Sequence, residues 1–492
     1  MNAYAALLAF QRQTTALAQV SGLLGWDQET MMPKGAAMQR GEWMAAMSTS
    51  IHQRQSDPRI GDWLAALEGA DLGQVERANL RHIRRDYHRA SRVPADLAAE
   101  IARTTSLAQG IWAEARANDD FAAFAPTLEK VLQLRRDEAA ALAPGEDAYD
   151  ALLQDYEPGM SGAELSGLLG ELRPGLVELR DRIRGAGRAV PRLDHRFDDK
   201  AQMALADELA GVFGYDWSRG RLDKAVHPFS SGSGNDTRIT TRVDALDPFN
   251  CIYSTIHETG HATYEQAINP DYLLTPLGQG VSMGVHESQS RIYENQLGRS
   301  AGFCRFLYGR MRDRFGDFGI GDADTFYALV NRVGQGFIRT ESDEVQYNLH
   351  ILMRFDLERA LIAGDLGIGD LEAAWNDRFL ADFGVRIDRP SNGVLQDVHW
   401  SVGLFGYFPT YTLGNIYAGC LYRAMTAALP GLAADLERGD TRAATGWLKQ
   451  QVQQHGGLYE ARELIERASG DKVSAKPLLE YLTGKFRAIY RL

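Results

Sequence analysis

The stretch YSTIHETGHAT, residues 253–263, constrains this chain more than any other. It places His257 and His261 four residues apart, with Glu258 directly after the first histidine. In a helix, this spacing puts both imidazoles on one face, where they can bind one divalent metal ion. Glu258 then projects beside that face, where a carboxylate can take the proton of a water whose pKa a zinc ion has lowered to about 7. The pattern therefore predicts metal-assisted hydrolysis of an amide.

A mononuclear catalytic zinc also needs a third protein ligand. The long form of the motif, with a glycine and a third histidine downstream, is excluded because Tyr264 and Ala267 occupy those positions. The later segment VHESQSRIYENQLGR offers Glu287 and Glu294 instead. Glu287 is the preferred ligand because it lies at the start of the predicted helix, 287 − 261 = 26 residues after the second histidine. Glu294 is the alternative ligand, or a partner of the ligands.

Composition limits the partners and the compartment. The chain has 492 residues and a formal net charge of −12, which argues against nucleic acid or an anionic membrane as the main partner. Cys251, Cys304 and Cys420 are too few and too scattered for a disulfide framework, and their odd number fits a reducing compartment. The N-terminus lacks the basic region of a signal peptide, and no run of about 18 apolar residues occurs. We therefore expect a soluble cytoplasmic protein.

The chain changes character once along its length. Residues 1–210 are rich in helix formers with apolar positions three and four apart, which predicts a helical lobe. After about Val226, β-branched residues alternate from Ile239 to Val243 and predict a strand, which as an edge strand beside the metal helix could hydrogen-bond an extended peptide. A hairpin that only caps the helical lobe is the alternative. Residues 211–492 would then supply the metal site and the substrate groove of a single catalytic unit, with a mainly α fold.

Hydrolysis of an amide needs further groups around the metal. His399, or a tyrosine from GYFPTYTLGN at 406–415, could donate a hydrogen bond to the developing oxyanion. An enzyme that cuts at a free C-terminus also needs a cation for the terminal carboxylate, and Arg339 and Arg238 are the candidates. Each of these arginines could equally be an ordinary ion-pair partner.

Several short motifs, in order over about 170 residues, make the sequence recognisable. The chain resembles the thermostable carboxypeptidase Taq family of metallocarboxypeptidases. Ser342 departs from the family pattern, which usually has Ala there, and this change affects local packing alone. The matching motifs are His227-Pro228-Phe229, Asp236-Thr237-Arg238-Ile239-Thr240, the H-E-x-x-H at 257–261, His286-Glu287-Ser288-Gln289, Ile338-Arg339-Thr340-Glu341-Ser342-Asp343 and Gly393-Val394-Leu395-Gln396-Asp397-Val398-His399-Trp400.

The resemblance implies a two-lobed helical metallopeptidase with a deep central groove and a small β-sheet next to the metal helix. It implies a homodimer that releases single residues from peptide C-termini, with broad specificity and poor action on proline. Carried over, it makes His257, His261 and Glu287 the metal ligands and Glu258 the general base. His399 stays a candidate catalytic group from the residues themselves. Either Tyr407 or Tyr411 could assist the oxyanion, and Tyr411 is preferred only from similarity to related gluzincin peptidases. The resemblance also implies a set of substrate-groove residues, namely His227, Arg238, Gln289, Arg339, Gln396, Asp397 and Tyr407.

The expected cofactor is one Zn²⁺ per subunit, although Co²⁺ or Mn²⁺ could occupy the same ligands. The expected partners are peptides with a free C-terminus. Two other functions stay open on the sequence. One is an oligopeptidase that cuts internally with the same metal site, and the other is a peptide-binding protein with a purely structural metal, which Glu258 argues against because such a site needs no base.

Overall fold

The computed structural model describes residues 2–188 and 190–492. Helices fill the chain before the sheet, and many begin at a residue such as Asn2, Asp120 or Ser161, whose side chain accepts a hydrogen bond from the first turn. The sequence therefore sets these helix starts locally. The helices of this part are α1 (Ala3–Thr30), α2 (Ala37–Gln55), α3 (Pro58–Ala66), α4 (Gln74–Arg92), α5 (Ala95–Ala117), α6 (Phe121–Leu142), α7 (Ala148–Leu153), α8 (Gly162–Ala186) and α9 (Asp199–Val212).

In the described residues, three short strands form one sheet: β1 (Leu222–Lys224), β2 (Ser230–Ser233) and β3 (Asp236–Thr241). The strand order is β1-β3-β2, with β1 parallel and β2 antiparallel to β3. The strand predicted at 239–243 therefore exists, starting and ending slightly earlier. The prediction that it is an edge strand is wrong, because β3 is the central strand and both of its edges are paired.

Helices resume after the sheet and continue to the C-terminus. Helices make up 69% of the structure, which confirms the prediction of a mainly α fold with a small sheet. They are α10 (Pro248–Ala267), α11 (Met283–Arg291), which continues into a π-helical turn (Ile292–Gly298), α12 (Ala301–Phe315), α13 (Ala323–Val330), α14 (Gln346–Ala363), α15 (Leu371–Phe383), α16 (Pro409–Ala428), α17 (Leu432–Glu437), α18 (Arg442–Gln451), α19 (Ala461–Ser469) and α20 (Lys476–Tyr490).

Helix α10 packs against β3, α9 and α11, and α16 packs against α11. The main hydrophobic core runs from Ala108 in α5 to Tyr490 at the end of α20, so it includes helices from both portions of the chain. A smaller core joins α1, α3 and α4 through Leu7, Ile60 and Leu80, among others. The site region therefore shares its core with most of the chain, whereas the first helices have a core of their own.

Two histidines of α4 differ in exposure. His82 is buried, and its Nε2 lies 2.7 Å from the carbonyl oxygen of Gly457, which is 375 residues away in the sequence. His88 is exposed. Cys251, Cys304 and Cys420 are buried free thiols.

Across the described helices, none has both the length and the apolar character that crossing a bilayer requires.

Candidate active site

Helix α10 carries the two histidines and is held close to α11. Asp247 caps its first turn, with Oδ1 accepting from the Phe249 backbone N–H at 3.0 Å. At Gly260, a Cβ atom would lie 2.6 Å from the Gln289 carbonyl oxygen, so only glycine permits this approach of the two helices. The close packing brings the first turns of α11 to the histidine face of α10. The predicted metal helix is therefore confirmed as a helix, and it is mostly buried.

Three side chains from these helices converge. Within the part of the chain that the structure describes, His257, His261 and Glu287 form a group whose candidate ligand atoms all lie within 4.8 Å of one another. Glu287 Oε2 lies 3.8 Å from His257 Nε2 and 3.5 Å from His261 Nε2. Two imidazole nitrogens and one carboxylate oxygen suit a catalytic zinc that keeps a fourth position open. The donor set therefore fits a divalent metal.

The other ring nitrogens of both histidines are occupied. His257 Nδ1 lies 2.9 Å from Glu294 Oε2, so Glu294 contacts the ligand from behind and lies outside the ligand group. His261 Nδ1 lies 2.6 Å from His286 Nδ1, and His286 Nε2 lies 3.0 Å from Glu265 Oε1. One assignment of protons satisfies all these contacts: each Nδ1 of the two ligand histidines donates, which leaves each Nε2 free to bind a metal.

Arg291 fixes the carboxylate of the third candidate ligand. Its Nε donates to Glu287 Oε1 at 2.6 Å and its Nη1 to Glu294 Oε2 at 3.3 Å. Arg299 Nη2 donates to Glu294 Oε1 at 3.2 Å. Burial would raise the pKa of Glu287, but the Arg291 guanidinium and the two imidazoles hold that pKa well below its usual range. Glu287 therefore stays ionised, with Oε2 left for the metal.

Sequence reasoning did not identify Glu265, Arg291 or Arg299. The signal for Arg291 was present, because it stands four residues after Glu287 and three before Glu294, so the three side chains share one helical face. Glu265 stands four residues after the second histidine in the same helix, and spacing alone could also have suggested it.

Glu258 lies beside the ligand group and is only 7% exposed. Burial raises the pKa of Glu258 to about 7, with His257 acting to lower it and the nearby Glu287 carboxylate acting to raise it. A carboxylate in this range is suited to exchanging a proton near neutral pH. A divalent cation next to it would favour its ionised form.

His399 and Tyr411 form a second cluster. His399 Nε2 lies 3.2 Å from the Tyr411 hydroxyl, and the imidazole packs on Phe408 with ring centroids 4.4 Å apart. Burial lowers the pKa of His399 to about 4, so its ring is neutral near pH 7. The Tyr407 ring lies 5.3 Å from that of Tyr411, centroid to centroid. The structure thus brings together three of the predicted residues from two separate motifs.

Arg339 adjoins this cluster. Its Nε and Nη2 donate to Asp397 Oδ1 at 3.0 and 2.8 Å, and its backbone N–H donates to Gln396 Oε1 at 3.0 Å. Arg354 Nε donates to the other oxygen of Asp397 at 2.7 Å. Arg339 Nη1 also reaches the Tyr347 hydroxyl at 3.3 Å. Gln396 and Asp397 therefore hold the arginine in place.

Tyr347 connects this arginine with the metal-ligand group. The Arg291 guanidinium lies 4.4 Å from the centre of the Tyr347 ring. A short path of contacts thus leads from Glu287 through Arg291 and Tyr347 to Arg339.

Three other predicted residues make their contacts elsewhere. Arg238 on β3 pairs with Asp236, Nε to Oδ1 at 2.7 Å, and its guanidinium lies 4.3 Å from the centre of the Trp26 ring. His227 is exposed in the turn between β1 and β2. Gln289 is fully buried, and its Oε1 accepts from Gln453 Nε2 at 3.1 Å. This burial corrects the expectation of a substrate contact for Gln289, whose amide instead joins α11 to the segment after α18.

Comparison with known proteins agrees with this geometry. The family model described as carboxypeptidase Taq (M32) metallopeptidase matches residues 6–486. Thermostable carboxypeptidase 1 of Thermus thermophilus is 44% identical over 505 residues, which cover 99% of this chain and 99% of that protein. The crystal structure of an M32 carboxypeptidase from Deinococcus radiodurans R1 is 38% identical, with a TM-score of 0.96 and 100% of both chains covered.

A second solved structure, metallocarboxypeptidase 1 of Trypanosoma cruzi, is 32% identical with a TM-score of 0.96 and covers 99% of each chain. These similarities extend over nearly the whole sequence, including the helices that carry the histidines and Glu287. They confirm the family that the ordered motifs indicated. This chain therefore belongs to the carboxypeptidase Taq (M32) family of metallopeptidases.

Proposed function

We propose that the protein is a metal-dependent carboxypeptidase that releases single residues from the C-termini of peptides. The observation that carries this proposal is the group of His257, His261 and Glu287 with Glu258 beside it, joined by a short path of contacts to Arg339. The family resemblance adds broad specificity and poor action on proline.

His257, His261 and Glu287 would hold one divalent ion per subunit, with zinc as the expected metal and cobalt or manganese as possible substitutes. When bound there, the ion supplies Lewis acidity that polarises the scissile carbonyl and makes a water easier to deprotonate. Glu294 and the pair of His286 with Glu265 keep the imidazoles in the tautomer that binds a metal.

Glu258 acts as the general base. It takes the proton of the attacking water and delivers a proton to the leaving amine, roles that suit a buried carboxylate beside the candidate ligands. The Tyr411 hydroxyl and the neutral His399 ring lie within hydrogen-bond reach of each other and can donate to the developing oxyanion. Tyr407 packs beside Tyr411, and we assign it to the substrate groove from the family resemblance.

Arg339 holds the terminal carboxylate of the substrate. Two guanidinium groups, Arg339 and Arg354, share the single carboxylate of Asp397, so one positive charge remains uncompensated. Arg238 is the weaker candidate because Asp236 neutralises it and Trp26 covers it. Gln396 supports the anchor through its bond to the Arg339 backbone, and His227 is assigned to the outer groove from the resemblance alone.

We also propose that residues 1–492 form one catalytic unit, since the main core runs through both portions of the chain. A homodimer and a cytoplasmic location complete the proposal; both are carried over from the sequence expectations.

The test is digestion of one peptide as its free acid and as its C-terminal amide, followed by mass spectrometry. We expect a ladder of single-residue losses from the acid and little reaction with the amide. A chelator should stop the ladder, and added zinc should restore it. Internal fragments, or equal rates on both peptides, would instead indicate an oligopeptidase without a carboxylate anchor.

A further inference from the structure

Glu157 and Glu358 are carboxylates with no exposed surface, and neither belongs to the groups described above. Burying a carboxylate is costly unless hydrogen bonds compensate it. All four of their carboxylate oxygens accept hydrogen bonds. Some of the donors belong to α11, which carries Glu287, and others to the loop that carries His399.

Glu157 binds the first turn of α11. Its Oε2 accepts from the Gly284 backbone N–H at 2.9 Å, and its Oε1 accepts from the Tyr417 hydroxyl at 3.1 Å. The N–H groups of a first helical turn have no partners within the helix, and a carboxylate there also complements the helix dipole. Glu287 follows Gly284 by three residues, which is less than one turn. The bonds of Glu157 therefore fix the turn that directs Glu287 at the histidines.

The fit at this point is tight. A Cβ atom on Gly284 would lie 2.7 Å from Glu157 Oε2, so the glycine is what allows the carboxylate to approach the helix. The preceding residue of α11, Met283, donates its backbone N–H to the Tyr156 carbonyl oxygen at 2.9 Å. Two consecutive residues of the chain thus satisfy two consecutive N–H groups of α11.

Glu358 binds the loop that carries His399. It accepts from Trp400 Nε1 at 3.0 Å and from the Gly406 backbone N–H at 3.2 Å. Trp400 directly follows His399 and Gly406 directly precedes Tyr407, so both ends of the loop are fixed through one carboxylate.

One stretch of chain, residues 149–157, connects these two arrangements, and we call it the clamp segment. At one end, the Tyr149 hydroxyl donates to Glu358 at 3.0 Å. At the other end is Glu157, and between them the Tyr156 ring packs edge-on against Tyr407 with centroids 5.1 Å apart. The clamp segment thus contacts α11, which carries Glu287. It also contacts Glu358 and Tyr407, which adjoin the loop that carries His399.

We propose that Glu157 and Glu358 are positioning residues for the reaction, with Glu157 setting Glu287 and Glu358 setting His399 and Tyr407. This inference rests on the proposed function. The simpler explanation is that both carboxylates only stabilise the core, and it predicts that their replacement changes the melting temperature without a selective effect on metal binding or turnover.

The experiment uses two readouts to distinguish an effect on the candidate metal ligands from an effect on the residues around His399. Zinc affinity is measured by competition with a chelator, together with the visible spectrum of the cobalt-substituted enzyme. Turnover is measured as kcat and KM at saturating zinc. Glu157→Leu removes both acceptors at similar size and should weaken zinc binding about ten-fold and alter the cobalt spectrum. Glu157→Gln can still accept from Gly284 and should bind zinc within about three-fold of the wild type.

Glu358→Gln is the corresponding variant for the loop that carries His399. An amide cannot accept from all three donors, so kcat should fall about ten-fold while KM, zinc affinity and the cobalt spectrum stay near wild type. If Glu157→Leu does not fold, Gly284→Ala replaces it, because the added methyl group would push against the Glu157 carboxylate and disturb the same contact while Glu157 itself is retained.

Unchanged zinc affinity in the folded Glu157→Leu or Gly284→Ala protein overturns the role of Glu157, as does a Glu157→Gln variant no better than Leu. Unchanged kcat in Glu358→Gln, or a loss of zinc affinity as large as that of Glu157→Leu, overturns the role of Glu358. Zinc binding is measured without substrate, so a wild-type enzyme that lacks carboxypeptidase activity would refute the proposed function separately.

Discussion

The metal-ligand group and the Arg339 cluster are built with opposite charges. Around Glu258, Glu287 and Glu294, the guanidinium groups of Arg291 and Arg299 leave one negative charge in excess when all three carboxylates are ionised. In the other cluster, Arg339 and Arg354 share Asp397 and leave one positive charge. A cation and a peptide carboxylate would thus each meet the charge that complements it. In the proposed function, this difference would also orient a substrate with its C-terminus away from the metal-ligand carboxylates.

The two regions also differ in how their hydrogen bonds are used. In the metal-ligand group, each candidate ligand uses its other polar atom in a hydrogen bond within the protein. The partners are Glu294 for His257, His286 for His261 and Arg291 for Glu287. On the other side, His399 Nδ1 is buried and has no hydrogen-bond partner among the described residues. An unpaired buried donor or acceptor is costly, and at an active site a substrate can supply the missing partner. The candidate metal ligands are therefore held in place by the protein alone, whereas His399 keeps one ring nitrogen that a substrate could bond.

The largest effect should come from the proton acceptor on the metal side. Glu258→Gln keeps the shape and removes the base, so kcat should fall about a thousand-fold. The ligands are untouched, and zinc should remain bound at one equivalent per subunit. Steady-state kinetics and metal analysis of the purified variant check this, and a fully active Glu258→Gln enzyme would rule out the proposed base.

The next largest effect should come from the Arg339 cluster, whose excess positive charge is proposed to bind the substrate carboxylate. Arg339→Gln should lower kcat/KM on free-acid peptides about a hundred-fold and change the amide rate little, because the lost charge meets only the terminal carboxylate. Asp397 keeps Arg354 as a partner, so no unpaired charge is left. Arg238→Gln is the matched control and should have the smaller effect. If Arg238→Gln were the more damaging change, the anchor would be on β3.

A smaller effect tests whether the bonded partners of the metal ligands matter. Glu294→Gln loses the charge behind His257 and should weaken zinc affinity about ten-fold, with kcat at saturating zinc changed less. Chelator competition measures the affinity. An unchanged affinity would show that the occupied ring nitrogens do not contribute to metal binding.

The smallest effect concerns pH. His399 has its pKa lowered to about 4, so it is neutral above about pH 5 and does not titrate between pH 5 and 8. His399→Gln should therefore reduce kcat/KM across this range without moving the acid limb of the profile. Parallel pH profiles of the two enzymes check it, and an acid limb that shifts in the variant would mean that His399 ionises in the working range.

Local spacing explains what the sequence could predict. The helix around His257 and His261, the position of Glu287 and the existence of β3 all follow from residues close together in the chain. The order of the strands could not be predicted, because it depends on the paths of β1 and β2. Gln289 belonged to a recognised motif, yet its buried partner Gln453 is 164 residues away. Long-range partners of this kind have no local signal.

The π-helical turn at Ile292–Gly298 lets the helix carry an extra residue beside the site. Because it has more residues per turn than an α-helix, it takes up that residue while the helix on either side keeps nearly its direction. Glu294 lies inside the turn, and Arg299 directly follows it. Removing one residue there would let the turn relax to an α-helix, and it would change the contact of Arg299 with Glu294 more than the direction of the following chain. In shortening this protein, a deletion in this turn would therefore first affect the carboxylate that contacts His257.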